Sequence, residues 1–324
     1  MKALLCKQHG LPDTLVLEEV PDPVPAEGEV VIDIRSAGVN FPDVLIIQNL
    51  YQAKPALPFA PGAELAGVVS AVGPGVTHRK VGDRVIGSST WGAFAEKIAL
   101  PAARTLPMPD FLDFERASAF VLTYGTSYHA LIDRAGLKAG ETVLVLGAAG
   151  GVGLAAIQIA KAAGARVIAA ASTAAKLAVC ADHGADALIN YSEENLRDRI
   201  AALTDGKGPD VIYDPVGGQY AEPAFRSIAW RGRYLVVGFA NGEIPRLPLN
   251  LALLKGASLV GVFWGRYMQS EPEHFARDIE ALYRWIGEGR LNPHICARYR
   301  LAEGARALED LIERRVTGKV VILP

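Results

Sequence analysis

The chain has 324 residues, 50% of them hydrophobic, and a formal net charge of −2, which gives room for two domains of ordinary size and the composition of a soluble globular protein. That balance excludes the basic surface of a nucleic-acid binder and a polybasic membrane anchor; Lys7 interrupts the N-terminus before a signal-peptide core forms, and the longest apolar run carries glycines that argue against a membrane span. Cys6, Cys180 and Cys296 form no pair and no CxxC, which suits a reducing cytoplasm and offers no zinc cluster by spacing.

Residues 1 to about 120 do not alternate strand with helix. Glu29–Arg35 places Val30, Ile32 and Ile34 on one face and Asp33 and Arg35 on the other, a half-buried antiparallel strand. Further strands are predicted over Ala66–Val72, Val81–Gly87 and Gly92–Leu100, with Gly73-Pro74-Gly75 and Gly82-Asp83 as turns. Prolines at 21, 23, 25, 55, 58 and 61 mark loops, so this part reads as an irregular, mostly antiparallel β domain.

The pattern changes after Pro109. Asp113 to about Ala135 reads as one or two helices. Strands are then predicted at Thr142–Leu146, Arg166–Ala171, Ala187–Ile189, Val211–Asp214, Arg233–Gly238 and Ser258–Phe263. Helices over Leu154–Ala163, Thr173–His183, Asn195–Leu203, Ala221–Ile228 and Leu249–Lys255 alternate with them. That alternation predicts the α/β class with a doubly wound parallel sheet. A helix over Glu273–Gly287 leaves this domain, and Tyr299–Leu301, Gly304–Arg314 and Lys319–Leu323 return to the first. The expected division is 1–122 with 289–324, against 123–288. Arg226, Arg231 and Arg233 read as a solvated face, and His129 and His183 as histidines without a metal or nucleophile partner.

The stretch Gly140–Lys161, GETVLVLGAAGGVGLAAIQIAK, carries the most information. A β-branched apolar run breaks into a glycine-rich turn, Gly147–Gly153, and continues as a helix. Strand, glycine turn, helix is the context of a dinucleotide fingerprint, in which the backbone approaches a pyrophosphate and free N–H groups point at it. In the register of G-x-G-x-x-G the three positions hold Ala148, Gly150 and Gly153, with Ala149, Gly151 and Val152 between them. A dinucleotide with a free ribose 2′-OH needs a carboxylate about 20 residues beyond the turn. Ile168–Ala175 holds no acid, and Ser172, Thr173 and Lys176 supply donors suited to a 2′-phosphate instead, which points to NADPH.

The order β domain, dinucleotide-binding domain and C-terminal return resembles the medium-chain dehydrogenase/reductase superfamily. Gly140, Glu141, Leu144, AAGGVG at Ala148–Gly153, Gln158 and Lys161 are similar to the signature of its zinc-free quinone oxidoreductases, the zeta-crystallin relatives. Ala37–Leu45, Pro61–Val69, Val81–Val85, Val121–Leu131 and Thr317–Ile322 extend the likeness over nearly the whole chain. The resemblance implies a GroES-like first domain, a Rossmann second domain, an NADPH-dependent activity and a homodimer, for which the edge of the last parallel strand is a pairing site. Where alcohol-dehydrogenase relatives place a cysteine and a Gly-His-Glu, this chain has Asn40 and Gly62-Ala63-Glu64. Thiolate and imidazole are both absent, so a metal-free enzyme is expected.

Without a Lewis acid, hydride delivery suits an electron-poor acceptor. A quinone is the leading substrate. An activated alkene (an enone, enoyl thioester or acrylate) is the alternative, and a non-catalytic NADPH-binding protein is a third reading. The likeness puts Asn40 in the place of the first zinc ligand, facing the reacting ring as a neutral donor. Tyr51 is expected to bond the substrate oxygen or cover the ring, and Thr126 to start the helix beside the nicotinamide. Tyr191 is expected to join the 2′-phosphate donors. Gly238, Phe239 and Ala240 after the fifth parallel strand, and Val262, Phe263 and Trp264 after the sixth, are expected along the nicotinamide half, and Lys319 on the cofactor side.

Overall fold

The longest strand of the chain owes its length to buried residues on both faces. In the computed structural model, which describes residues 1–324, β1 (Lys2–Cys6) and β2 (Leu15–Glu19) pair antiparallel, and β3 (Glu29–Val39) follows. Val30, Val31, Ile32, Ile34, Ser36, Ala37 and Val39 are all buried, so β3 is a central strand rather than the half-exposed one that its charges suggest. It runs into α1 (Phe41–Ile47), a helix that the Asn-Phe-Pro-Asp sequence disguises as a loop. Proline is at home in a first helical turn, where its missing N–H has no partner to lose. Then come β4 (Glu64–Val72), β5 (Arg84–Ser88), β6 (Lys97–Pro101), β7 (Thr105–Pro107) and the short α2 (Phe114–Ser118). Helix α3 (Val121–Tyr128) passes into a π-helical turn, His129–Arg134.

Six parallel strands follow: β8 (Thr142–Leu146), β9 (Arg166–Ala171), β10 (Ala187–Asn190), β11 (Val211–Asp214), β12 (Arg233–Val236) and β13 (Ser258–Gly261). The crossovers are α4 (Gly151–Ala162), α5 (Ala174–Asp182), α6 (Leu196–Leu203), α7 (Ala221–Arg226) and α8 (Asn250–Lys255). The sheet order is β10-β9-β8-β11-β12-β13, so the chain reverses its direction of travel at β8. Ligands of doubly wound sheets bind at the carboxyl ends of the strands beside such a reversal, where the glycine turn lies. The core is built from aliphatic and aromatic residues of the strands, Leu144, Leu146, Ile168, Ile189, Ile212 and Tyr234, with Phe225 from α7 packed against them. Helices α9 (Trp264–Ser270) and α10 (Pro272–Gly287) complete this unit.

The chain ends in β14 (Ile295–Arg300), α11 (Gly304–Ile312) and β15 (Lys319–Leu323). Strand β15 pairs antiparallel with the end of β3, in a seven-stranded sheet β14-β15-β3-β4-β5-β7 with β6 also on β3. The two units are Met1–Leu122 with Pro293–Pro324, and Thr123–Asn292. The second boundary lies four residues beyond the expected one. Gln158 explains this, because its amide grips the backbone of Asn292 twice, at 2.7 and 3.1 Å.

Candidate active site

The glycine turn after β8 is tight for a definable reason. A Cβ on Gly153 would stand 2.6 Å from the carbonyl oxygens of both Gly147 and Ala148, so only glycine lets α4 begin this close to the strand. Gly147 takes a left-handed φ of 58°. Gly150 precedes the helix in extended conformation, and no side chain caps α4, so the first-turn N–H groups of Gly151, Val152 and Gly153 are open to an anion. Two hydroxyls brace the turn from beneath. Ser127 Oγ donates to Val152 O at 2.9 Å and meets Tyr213 OH at 2.9 Å, both in the buried interior.

At the carboxyl ends of β9 and β10 the expected donors come together. The β9–β10 register sets Asn190 opposite Ala171, and Tyr191 N donates to Ala171 O. Tyr191 therefore stands beside Ser172. Thr173 caps α5 by accepting from Lys176 N, which turns the lysine back toward the loop, and Lys176 Nζ lies 3.4 Å from Ser172 Oγ. The Tyr191 ring packs on Tyr220 at 4.3 Å. Ser172, Thr173, Lys176 and Tyr191 thus form one group rich in donors.

The later loops are also positioned by backbone. Ala240 N and Asn241 N donate to Pro215 O and Val216 O, which lays Gly238, Phe239 and Ala240 along the loop after β11. Asp214 holds that loop: its carboxylate accepts from Val216 N, Gly217 N and Tyr234 OH, and burial pushes its pKa up. Val262 N reaches Val236 O, Phe263 is 59% exposed, and Trp264 is the first residue of α9 rather than part of a loop. Its indole packs on Gly125, where a Cβ would come within 2.7 Å of Nε1. Thr126, expected to start its helix, is instead its sixth residue, half-buried, because α3 already begins at Val121.

The other unit holds a buried polar cluster that no local sequence pattern announces. Asn40, Asp43, Glu64 and Lys319 are each at least 95% buried. Lys319 Nζ donates to Val39 O at 3.0 Å, Asn40 Oδ1 at 2.6 Å and Glu64 Oε2 at 3.2 Å. Asn40 Nδ2 donates to Gly38 O at 3.3 Å and to Glu64 Oε2 at 3.2 Å. Glu64 Oε1 accepts from Leu122 N at 2.9 Å, a carboxylate at the start of α3 where helix dipole and orphan N–H groups favour it. Asp43 reaches back from α1 to Asn40 N at 2.8 Å, and burial pushes its carboxyl up to about 7 against the pull of that bond and of the Lys319 charge. Tyr51 packs half-buried against the same core, its phenol raised first by desolvation and then by the Asp43 charge.

Two expectations change here. Asn40 has spent both amide hydrogens inside the cluster, so its carboxamide is not a donor left over for a substrate. Lys319 has spent all three of its hydrogens in the same way, so its ammonium has none left to offer a cofactor. Two others change in the dinucleotide unit. Arg233 is not a solvated charge: it grips both oxygens of Glu141, at 2.9 and 2.7 Å, and bonds Ala135 O. His129 does have partners: its Nδ1 meets Asp133 at 3.0 Å, its ring stacks on Tyr267 at 3.8 Å, and Asp278 completes the group. Burial and the neighbouring Asp133 push the Asp278 carboxyl up to about 6.

A six-stranded parallel sheet in the 3-2-1-4-5-6 order, with a glycine turn after its first strand, defines a dinucleotide-binding α/β unit, here combined with an antiparallel β unit. Residues 26–110 match the alcohol dehydrogenase GroES-like domain, and residues 151–282 match the zinc-binding dehydrogenase family. The chain is 38% identical over 324 residues to a "Quinone oxidoreductase-like protein 2 homolog" of Nematostella vectensis, covering 99% of this chain and 88% of that one. It is 39% identical to the quinone oxidoreductase of Pseudomonas aeruginosa, covering 98% and 97%. The crystal structure of Escherichia coli quinone oxidoreductase complexed with NADPH superposes with a TM-score of 0.93 at 33% identity, covering 100% of both chains. The protein belongs to the quinone oxidoreductase family of the medium-chain dehydrogenase/reductases. Its donor set does not fit a catalytic zinc: Asn40 and Glu64 are committed to each other and to an ammonium, and residue 63 is alanine.

Proposed function

We propose that this protein is an NADPH-dependent, metal-independent reductase of quinones. The observation that carries the reading is the group Ser172, Thr173, Lys176 and Tyr191 at the ends of β9 and β10, which offers hydroxyls and an ammonium where a 2′-hydroxyl reader needs a carboxylate. The relative solved with NADPH supports it. When bound, NADPH supplies a hydride, and with one proton this converts a quinone to a hydroquinone. The turn Ala149–Gly153 would hold the pyrophosphate with main-chain N–H groups, and Ser127 and Tyr213 brace that turn. Gly238, Phe239, Ala240, Val262, Phe263, Trp264 and Thr126 position the nicotinamide half. Tyr51 is the hydroxyl assigned to the acceptor oxygen; water delivers the proton. Asn40 is held by its own buried cluster in the β unit.

The test is NADPH oxidation by purified protein against a panel of quinones and activated alkenes. Turnover with quinones is expected. Turnover with enones alone would reassign the substrate, and tight NADPH binding without any oxidation would make this a binding protein.

We also infer a homodimer working in the cytoplasm. Strand β13 ends the parallel sheet with an open edge, and Ile244, Leu249, Leu253 and Leu254 expose apolar side chains on the same unit. All three cysteines are unpaired thiols. No helix is long and apolar enough to cross a membrane.

A further inference from the structure

Burying an ammonium is costly unless each hydrogen finds an acceptor and the charge finds a counter-ion. Lys319, 4% exposed, meets both conditions with three acceptors for three hydrogens. These contacts also settle which way Asn40 points. Its oxygen faces the ammonium, and its NH2 faces the carbonyl of Gly38 and the carboxylate of Glu64. Reversed, the amide would set NH2 against ammonium and oxygen against two oxygens, three mismatches at once. Glu64 carries the constraint onward, because its other oxygen caps α3 at Leu122. One lysine on the last strand therefore sets the side chain that leads into α1 and the carboxylate that starts α3.

We propose that Lys319 is a positioning residue for the reaction: its ammonium is the fixed cation of this cluster, holding Asn40 and Glu64 in their one satisfied arrangement and leaving no place for a metal ion. The proposal rests on the reductase function above. It also departs from the zinc named in the matched family description. A catalytic zinc site draws on thiolate or imidazole donors with an open position, whereas this cluster has only oxygen and amide groups and already contains its positive charge. The titratable groups around the ammonium are Glu64 from β4, Asp43 from α1 and Cys296 from β14, and Tyr51 from the loop after α1 feels the Asp43 charge in turn. The lysine charge holds the Asp43 carboxyl below the level that burial alone would set.

The test compares Lys319→Arg, Lys319→Met and the double variant Lys319→Met/Glu64→Gln with the wild-type protein. Steady-state NADPH oxidation with a quinone is followed over about pH 5–9, with urea unfolding and calorimetric titration with zinc chloride alongside. Lys319→Met is expected to lower kcat by about tenfold or more, keep KM for NADPH within about twofold, and move the acid limb of the pH profile upward. Lys319→Arg should restore most of kcat. The double variant, with no lone buried charge, should regain stability but not kcat. A rise in KM for NADPH with kcat intact would make Lys319 a cofactor contact and overturn the proposal. Recovery of kcat in step with stability in the double variant would reduce it to a scaffold, and uptake of one zinc per wild-type chain at this cluster would overturn the exclusion of metal. A wild-type protein that oxidises no NADPH with any acceptor refutes the function itself, whereas normal wild-type turnover with either failing variant pattern refutes only the role of Lys319.

Discussion

Replacing Lys176 by alanine separates the two nicotinamide cofactors. Its ammonium lies 3.4 Å from Ser172 Oγ, at the start of α5, where a 2′-phosphate would meet ammonium and hydroxyl together. A hydrogen bond between two charged groups contributes about 1.5–3 kcal/mol, or about 10- to 100-fold in Kd. Lys176 is only half-buried, so solvent screens the pair and the lower end applies: about tenfold weaker NADPH binding is expected. NADH has no 2′-phosphate and should bind within about twofold of its wild-type affinity. Fluorescence titration of both cofactors measures this directly. Raising the salt concentration should narrow the NADPH difference, since part of it is Coulombic. Equal weakening of NADH and NADPH would refute the assignment, because it would mean the substitution disturbs α5 rather than a phosphate contact.

Asp43 makes stability depend on pH. Its carboxyl titrates near 3.8 when unfolded and at about 7 when folded, so the folded state holds the extra proton and stability is lost as pH rises between these values, by at most about 4 kcal/mol. Asp43→Asn should flatten urea midpoints across that window; an unchanged slope would clear Asp43 of responsibility. Ser127→Ala removes the bond to Val152 and leaves the buried Tyr213 hydroxyl unpaired, at a cost of about 1–3 kcal/mol and with weaker NADPH binding. Wild-type stability in the variant would show that the hydroxyl bears no strain of this kind. Leu253→Asp places a charge on the exposed apolar face and should shift the mass by light scattering from dimer to monomer. A wild-type protein that is already monomeric would refute the dimer.

The parallel sheet was legible because buried strands are written as continuous runs, such as Val143–Leu146 and Val167–Ala171, closed by Gly147 and Ser172. The proximity of Ser172, Thr173, Lys176 and Tyr191 was legible for a similar reason: they lie within one strand–loop–helix step and the register of the next strand. The buried cluster was not. Asn40 and Lys319 are 279 residues apart, and nothing local in Thr317-Gly318-Lys319 tells a buried ammonium from a cofactor contact. Only the pairing of β15 with the end of β3 brings them together. Arg233 was misread on the same ground, since its partner Glu141 lies 92 positions away. Helix α1 was not predicted, although Pro42 in its first turn is a helix-start signal.

The indole of Trp264 fills the space that a side chain at position 125 would occupy, and its N–H finds no acceptor there. These two residues are one decision made in two places along the gene. An alanine at 125 is tolerable only beside a smaller ring at 264, and a tryptophan at 264 only beside glycine. Substitutions at the two positions should therefore be tolerated in pairs and rejected singly, so the history of this face of helix α3 will be recorded as covariation rather than as invariance.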